Sequence, residues 1–192
     1  TLAKRFSRRI KVRKMRRDRF HKDLDTIRDL FTDAWSENWG FIPFTHAEFA
    51  ELGKNLKFLV DSESVRIAEV DGEPLAMIVM FPNINEMIKD LNGRLLPFGW
   101  LKLLWRLKVT GARSSRVPLM GVRRQHQGTM MGAALALMTI DPIHQHARRT
   151  GVTEVDMSWI LEQNKGMRKI IELLGGNVYK RYRIYEKDLA AG

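Results

Sequence analysis

The spacing of apolar positions changes several times along the chain, and each change marks an element. In RRIKVRKM, Ile10 and Val12, with Met15 beyond them, alternate with cations, the period-two pattern of a half-exposed first strand. Leu24, Ile27, Leu30, Phe31 and Trp35 then recur at three- and four-residue spacing and predict a helix with one apolar stripe. Gly40 and Pro43 break that pattern, and Thr45 stands as N-cap of a second short helix carrying Phe49 and Leu52. In SVRIAEVDGEPLAMIVMFP two apolar runs flank Asp71-Gly72, a dipeptide that tolerates the positive φ of a tight turn. The run predicts antiparallel strands over about 64–70 and 74–81.

A short helix is expected over 84–91 and an amphipathic one over 98–108, with Trp100, Leu103, Leu104 and Leu107 to one side. SSRVPLMGV reads as a strand, but Pro118 cannot donate to a ladder, so the strand must bulge or lose a neighbour there. TMMGAALALMTIDPIHQHA is a long helix and GVTEVDMSWIL another strand. LEQNKGMRKIIELLGG is a helix opened by Asn164, and GNVYKRYRIYEKDL is a closing strand or very short hairpin. Antiparallel strands followed by strand–helix–strand–helix predict the α/β class with a mixed sheet. We read 1–192 as a single domain, with 1–20 a basic arm and first strand and 84–110 a helical insertion.

Composition narrows the function. The absence of cysteine excludes disulfides and thiolate-held zinc and fits a reducing, cytoplasmic setting. No apolar run approaches the roughly 20 residues of a bilayer span, and no signal peptide is evident. A start at Thr1 fits a piece of a longer chain. Of the net charge of +11, residues 4–19 hold ten cations and one acid, or +9. Such a segment can bind nucleic acid, anionic lipid or an acidic protein, or can be a solvated arm. The amphipathic stretch at 98–108 can likewise rest on a membrane surface or cover a core or cleft.

Candidate chemistry begins at LMGVRRQHQGTMMG. A strand ends at Val122 and a helix begins near Thr129, so unpaired N–H groups and a partial positive charge face the loop between them. Gly128 and Gly132 allow close approach of a phosphate, and Arg123, Arg124 and Gln127 add donors. This stretch resembles the cofactor loop of GNAT-superfamily acyltransferases, in which a strand ending in Val leads, five residues on, to Arg/Gln-Gly-x-Gly-x-Gly/Ala. Gln127, Gly128, Thr129, Met130, Met131 and Gly132 follow that order, with Met130 at the middle glycine. A second family motif resembles Asn-x-x-Ala-x-x-x-Tyr-x-x-x-Gly-Phe. Asn164 and Gly175 have its eleven-residue separation, while Met167, Ile171 and Gly176 replace its Ala, Tyr and Phe.

The resemblance implies a GNAT-like, mostly antiparallel mixed sheet with splayed central strands, flanked by helices, and acetyl-CoA or a longer acyl-CoA as donor. It implies that Met120, Gly121 and Val122 offer backbone groups to the pantetheine and thioester, that 127–132 hold the pyrophosphate, and that Asn164 touches the cofactor arm. An amine acceptor, small molecule or peptide, would attack directly, with the Val122 N–H receiving the oxyanion. Ile171 removes the family's usual acid. Tyr182, or its neighbours Tyr179 and Tyr185, is the substitute, although tyrosines there also serve packing. Glu154, Asp156 and Ser158 are polar in an otherwise apolar strand, so Glu154 or Asp156 is the candidate base, or the strand's start is simply at the surface. Asp141, His144 and His146 do not share one helical face, and no metal site is expected. Two further readings are an acidic acyl carrier protein as donor, steered by the basic segment, and a non-catalytic fold relative that binds CoA or nucleic acid. The aromatic segment 35–44 and the helix at 98–108 are expected to wall an apolar acceptor pocket.

Overall fold

The computed structural model describes residues 5–57, 60–185 and 187. Its central hairpin is the one expected: Asp71 and Gly72 take φ of 53° and 87°, and Val70 faces Glu73 across the two-residue loop. The hairpin strands are β2 (Val65–Val70) and β3 (Glu73–Pro82), with β1 (Ile10–Lys14) antiparallel to β2. β4 (Ser114–Val122) is antiparallel to β3, and β5 (Glu154–Asp156) is parallel to β4, completing a sheet of order β1-β2-β3-β4-β5. The helices among the described residues are α1 (Phe20–Trp35), α2 (His46–Leu56), α3 (Ile84–Ile88), α4 (Gly99–Trp105, continued by a π-turn over Arg106–Thr110), α5 (Met130–Arg149) and α6 (Lys165–Leu173).

Alternation along the strands gives each face its own core. Ile67, Met77 and Val79 meet Leu30, Phe31 and Phe49 of α1 and α2 on one side. Ala68, Ile78 and Met80 meet Leu135, Ile140 and Ile143 of α5 on the other. Thr45 and Glu48 close a reciprocal capping box at the start of α2, a motif whose cap residue is worth ~1 kcal/mol. Pro118 has the consequence foreseen for it: Val79 pairs with Leu119 and Phe81 with Arg116, so β4 holds one extra residue and bulges at Val117-Pro118.

Much of the basic segment is bound to the body. Arg13 forks onto the fully buried Asp23 of α1 (2.8 and 2.9 Å) and also reaches Glu69 (2.6 Å), while Lys14 pairs with Glu63 (2.9 Å). Arg16 donates its backbone N–H to Asp23 (2.8 Å). Lys4 lies outside the described residues.

Two strands differ from expectation. The strand predicted in GVTEVDMSWIL stops after Asp156, because the Asp156 carboxylate takes the N–H of Ser158 (3.1 Å), whose φ of 59° turns the chain out of the sheet. The closing strand is absent over 175–185: once β5 has left the sheet, no extended edge remains beside it. Positions 186 and 188–189 of that predicted strand lie outside the described residues.

Candidate functional site

The site is built where β4 and β5 separate. They pair only through Ser114–Arg116 against Glu154–Asp156, and β4 then runs on to Val122 without a strand on that edge among the described residues. At the fork, Arg116 donates to Asp156 from Nη2 (2.7 Å) and Nε (3.0 Å). Partial burial works to raise the Asp156 pKa, but the Arg116 guanidinium and the Ser158 N–H outweigh it and hold the carboxyl below its ordinary value. Desolvation and the neighbouring Asp156 charge push the Tyr179 phenol upward, so it keeps its proton.

Side-chain donors from α1 and the following loop occupy the free edge of β4. Trp35 Nε1 donates to the Met120 carbonyl (3.1 Å), and Gln127 Nε2 donates to those of Val122 (2.9 Å) and Ala34 (3.1 Å). The Arg123 N–H goes the other way, to Leu75 of β3 (2.8 Å). Strand alternation therefore puts the N–H groups of Met120 and Val122 on the free edge and those of Gly121 against β3. Gly121 is glycine for packing: a Cβ there would stand 2.9 Å from that of Ala34.

Beyond Val122 a short turn, Arg124–His126, leads to Gly128 at φ 73° and to Thr129, whose Oγ1 accepts the Gly132 N–H (3.1 Å) as N-cap of α5. A Cβ on Gly132 would lie 2.0 Å from the His126 carbonyl oxygen, so only glycine lets the helix start this close to the loop. The N–H groups of Met130 and Met131 have no intrahelical partner at this end, which leaves them to an anion. The arginines are not the free donors expected. Arg123 pairs with Asp29 and reaches Asp33 (4.0 Å), and Arg124 pairs with Glu37 (2.7 Å). Asp33, Glu37, Arg124, Gln125 and Gln127 border an open polar hollow of about 570 Å³ here.

Asn164 caps α6 through Oδ1, which accepts the Met167 N–H (3.1 Å), leaving Nδ2 as a donor. The helix ends with the N–H of Gly176 on the carbonyl of Ile171 (2.9 Å) and that of Gly175 on Glu172 (3.0 Å), with Gly175 at φ 85°. Ile171 and Gly176, where the family motif has Tyr and Phe, thus form one helix stop: a Cβ on Gly176 would meet the Ile171 side chain at 2.3 Å.

The other candidates lie apart. Glu154 is exposed at the outer end of β5, opposite Ser114, and Tyr182 is exposed with its ring 5.7 Å from that of Trp159. It is Tyr179 that reaches the fork. Among the described residues no three His, Asp or Glu converge as for a metal; burial holds the His146 imidazole below its usual pKa, and Asp141 is bound to Gln145 (2.8 Å). On the α1–α2 side of the sheet lies a cavity of about 730 Å³, within the roughly 300–1,000 Å³ of small-molecule sites. Its walls are mainly apolar: Leu24, Ile27, Phe49 and Leu56 from the helices, Val79 and Leu119 from the sheet, and Leu107 near the start of the π-turn. The expected 35–44 wall does not contribute. Trp35, Phe41 and Phe44 pack around the Phe31 ring instead. The expected 98–108 wall does contribute, through Leu107 and Lys108, but the other walls and the Trp35 and Arg116 contacts were not readable in the sequence, because each joins residues distant along the chain.

A mixed sheet that forks at β4 and β5, with a helix N-terminus at the end of the longer arm, is the GNAT acyltransferase fold. A possible acetyltransferase from Clostridium difficile matches 95% of this chain and 99% of its own at a TM-score of 0.56 and 14% identity. The aminoglycoside N-acetyltransferase AAC(6')-Iy, in complex with a CoA-containing bisubstrate analogue, matches 94% and 99% at 0.57 and 14%. No family model matches the chain. Among curated proteins, Protein YghO of Escherichia coli K12 is 49% identical over 181 residues, 94% of this chain, and a bacterial ceramide synthase of Caulobacter vibrioides is 45% identical over 178 residues, 93% of this chain. The chain spans 46% of the length of each, about half of these relatives.

Proposed function

We propose that the protein is an acyl-CoA-dependent N-acyltransferase whose amine acceptor carries a long alkyl chain. The observation that carries this reading is the forked β4 edge, which ends in a helix N-terminus on one side and borders an apolar cavity through Leu119 on the other. The fold's CoA-bound neighbour supports the donor. The acceptor follows from the cavity and from the relative named a ceramide synthase, since a ceramide is the amide of a long-chain amino alcohol.

Acyl-CoA would supply a thioester: an amine attacking its carbonyl forms the amide C–N bond as the C–S bond breaks, and CoA leaves as the thiolate that takes up a proton. The loop fits its pyrophosphate: Gly128, Thr129 and Gly132 shape the turn, Met130 and Met131 present N–H groups, and Gln127 braces the loop to β4. Since the arginines here are held by α1 and the loop that follows it, phosphate would be met by oriented amides more than by free cations. Asn164 Nδ2 can donate to the cofactor arm. Met120 and Val122 face the fork, Gly121 lets α1 close on it, and the Val122 N–H is the donor for negative charge developing on the carbonyl oxygen. Of the two carboxylates, Asp156 stands at the fork but is committed to Arg116 and Ser158, and Glu154 lies at the outer end of β5 away from it, so neither is assigned as the base. Tyr179 is better placed than Tyr182 to protonate the thiolate.

Calorimetry with CoA and palmitoyl-CoA, and mass spectrometry of mixtures containing octylamine, sphinganine or neamine, test this reading. Binding of CoA and amide formation with sphinganine are expected. No CoA binding, or acylation of neamine alone, would overturn it.

A further inference from the structure

Residues 91–113 carry one run of exposed large apolar side chains, a second lying over 173–185. Leu96, Phe98, Trp105 and Val109 are 79, 72, 63 and 61% exposed, and Leu95, Trp100, Leu101 and Leu104 are exposed beside them. Soluble monomers rarely leave so many large apolar side chains together in water. The same stretch holds Arg94, Lys102, Arg106, Lys108 and Arg113 and no acid. The segment is held in place: Asp90 binds both Lys102 and Arg106, Arg106 also donates to the Met87 carbonyl, and Glu86 accepts the N–H groups of Arg113 and Ser114 (3.0 Å each). An anchored set of Trp, Phe and Leu interleaved with cations has the composition of an interfacial lipid-binding face.

We propose that residues 91–113 dock the protein on the surface of an anionic lipid bilayer, with the apolar side chains of α4 and its flanks entering the headgroup boundary. Charge selects this occupant over a second copy of the chain, because Lys102 and Arg106 are paired with Asp90 but two such faces would still set Arg94, Lys108 and Arg113 against their copies. The docking face also adjoins the cavity. Leu107 and Lys108 line it together with Arg17 and Lys57, so a lipid leaving the bilayer here meets a cationic mouth and then an apolar interior. Docking does not depend on the proposed reaction. Only the delivery of a lipid substrate rests on that reading.

The test is sedimentation of the protein with vesicles of phosphatidylcholine mixed with phosphatidylglycerol and with vesicles of phosphatidylcholine alone, read together with tryptophan emission. Binding to the anionic vesicles is expected, with blue-shifted emission quenched by lipids brominated in the acyl chain. Replacing Arg94 and Lys108 by Gln, both exposed, should weaken binding about 30-fold, from ~1 kcal/mol per cation near an anionic surface. The double variant Phe98→Ser/Trp105→Ser should abolish brominated-lipid quenching while its circular dichroism stays unchanged. The proposal is overturned if the protein ignores anionic vesicles, or if both variants bind as the parent does. It is equally overturned if the face proves buried in a vesicle-free dimer that the Phe98/Trp105 variant dissolves. None of these readings requires acyl transfer, so failure of the proposed enzyme activity and failure of docking are separate results.

Discussion

Replacing Arg13 by Met should be among the most destabilising changes outside the apolar core. Asp23 is fully buried and accepts both arms of the Arg13 fork together with the Arg16 N–H, all within 2.9 Å. Removing the fork leaves a carboxylate enclosed without its main partner and also strands Glu69. Breaking a buried pair from one side costs about 3–5 kcal/mol, and the 20% exposure of the Arg13 side chain argues for the lower end, about 3 kcal/mol. For a chain of this size that is a fall in Tm of roughly 6–12 °C. The pair replaced on both sides, Arg13→Met with Asp23→Leu, should recover much of the loss, because the buried charge is then gone and only the partly exposed Glu69 is left without its partner. Burial opposes ionisation of Asp23, but the Arg13 and Arg16 contacts win and hold its folded pKa below the ordinary 3.8. The contribution of the pair is therefore complete above that pH and is lost as pH falls through the lower folded value. In Arg13→Met the penalty should shrink near about pH 4, where the stranded carboxyl can take a proton. Urea unfolding of the parent, both single variants and the double variant at neutral and acid pH measures all of this. A loss below about 1 kcal/mol for Arg13→Met, or a penalty independent of pH, would refute the argument.

Three further outcomes are expected. Gly132→Ala should weaken CoA binding at least about tenfold by calorimetry with the fold intact, since its Cβ would fall 2.0 Å from a backbone oxygen and push the loop away. Leu56→Trp should fill part of the cavity and raise KM for long-chain amines while leaving that for CoA unchanged, as steady-state kinetics would show. Asp156→Asn should release Arg116 and lower the thermal midpoint at neutral pH. Because the Asp156 pKa is depressed in the fold, its effect should vanish as the pH falls below the usual carboxylate range.

Local signals were legible in the sequence. Asp71-Gly72, the Thr45 cap with Glu48, the Asn164 cap and the Pro118 bulge each depend on residues within a few positions of one another, and each took the form their chemistry favours. Relationships across the chain were not. Nothing in RRIKVRKM distinguishes Arg13, which forks onto Asp23, from its neighbours, and nothing near Arg123 and Arg124 reveals that α1 and the loop after it neutralise them. The closing segment misled for a related reason. Its alternating tyrosines and apolar residues suit a strand, but a strand needs a partner edge, and the turn at Asp156–Ser158 had already removed it. Asp156, one of the two carboxylates read from the sequence as a candidate base, therefore also decides where the sheet ends.

α1 touches both halves of the site. Its Phe20, Leu24 and Ile27 line the apolar cavity, while Asp29, Asp33 and Trp35 grip the loop and the β4 edge on the other side. Any displacement of this helix on filling the cavity is transmitted to the loop through those three anchors. By thermodynamic reciprocity an occupied loop then biases the cavity by the same free energy. A kinetic signature follows from this shared beam: donor and acceptor should bind with mutual cooperativity, and loosening the Arg123–Asp29 pair should reduce it without touching either ligand.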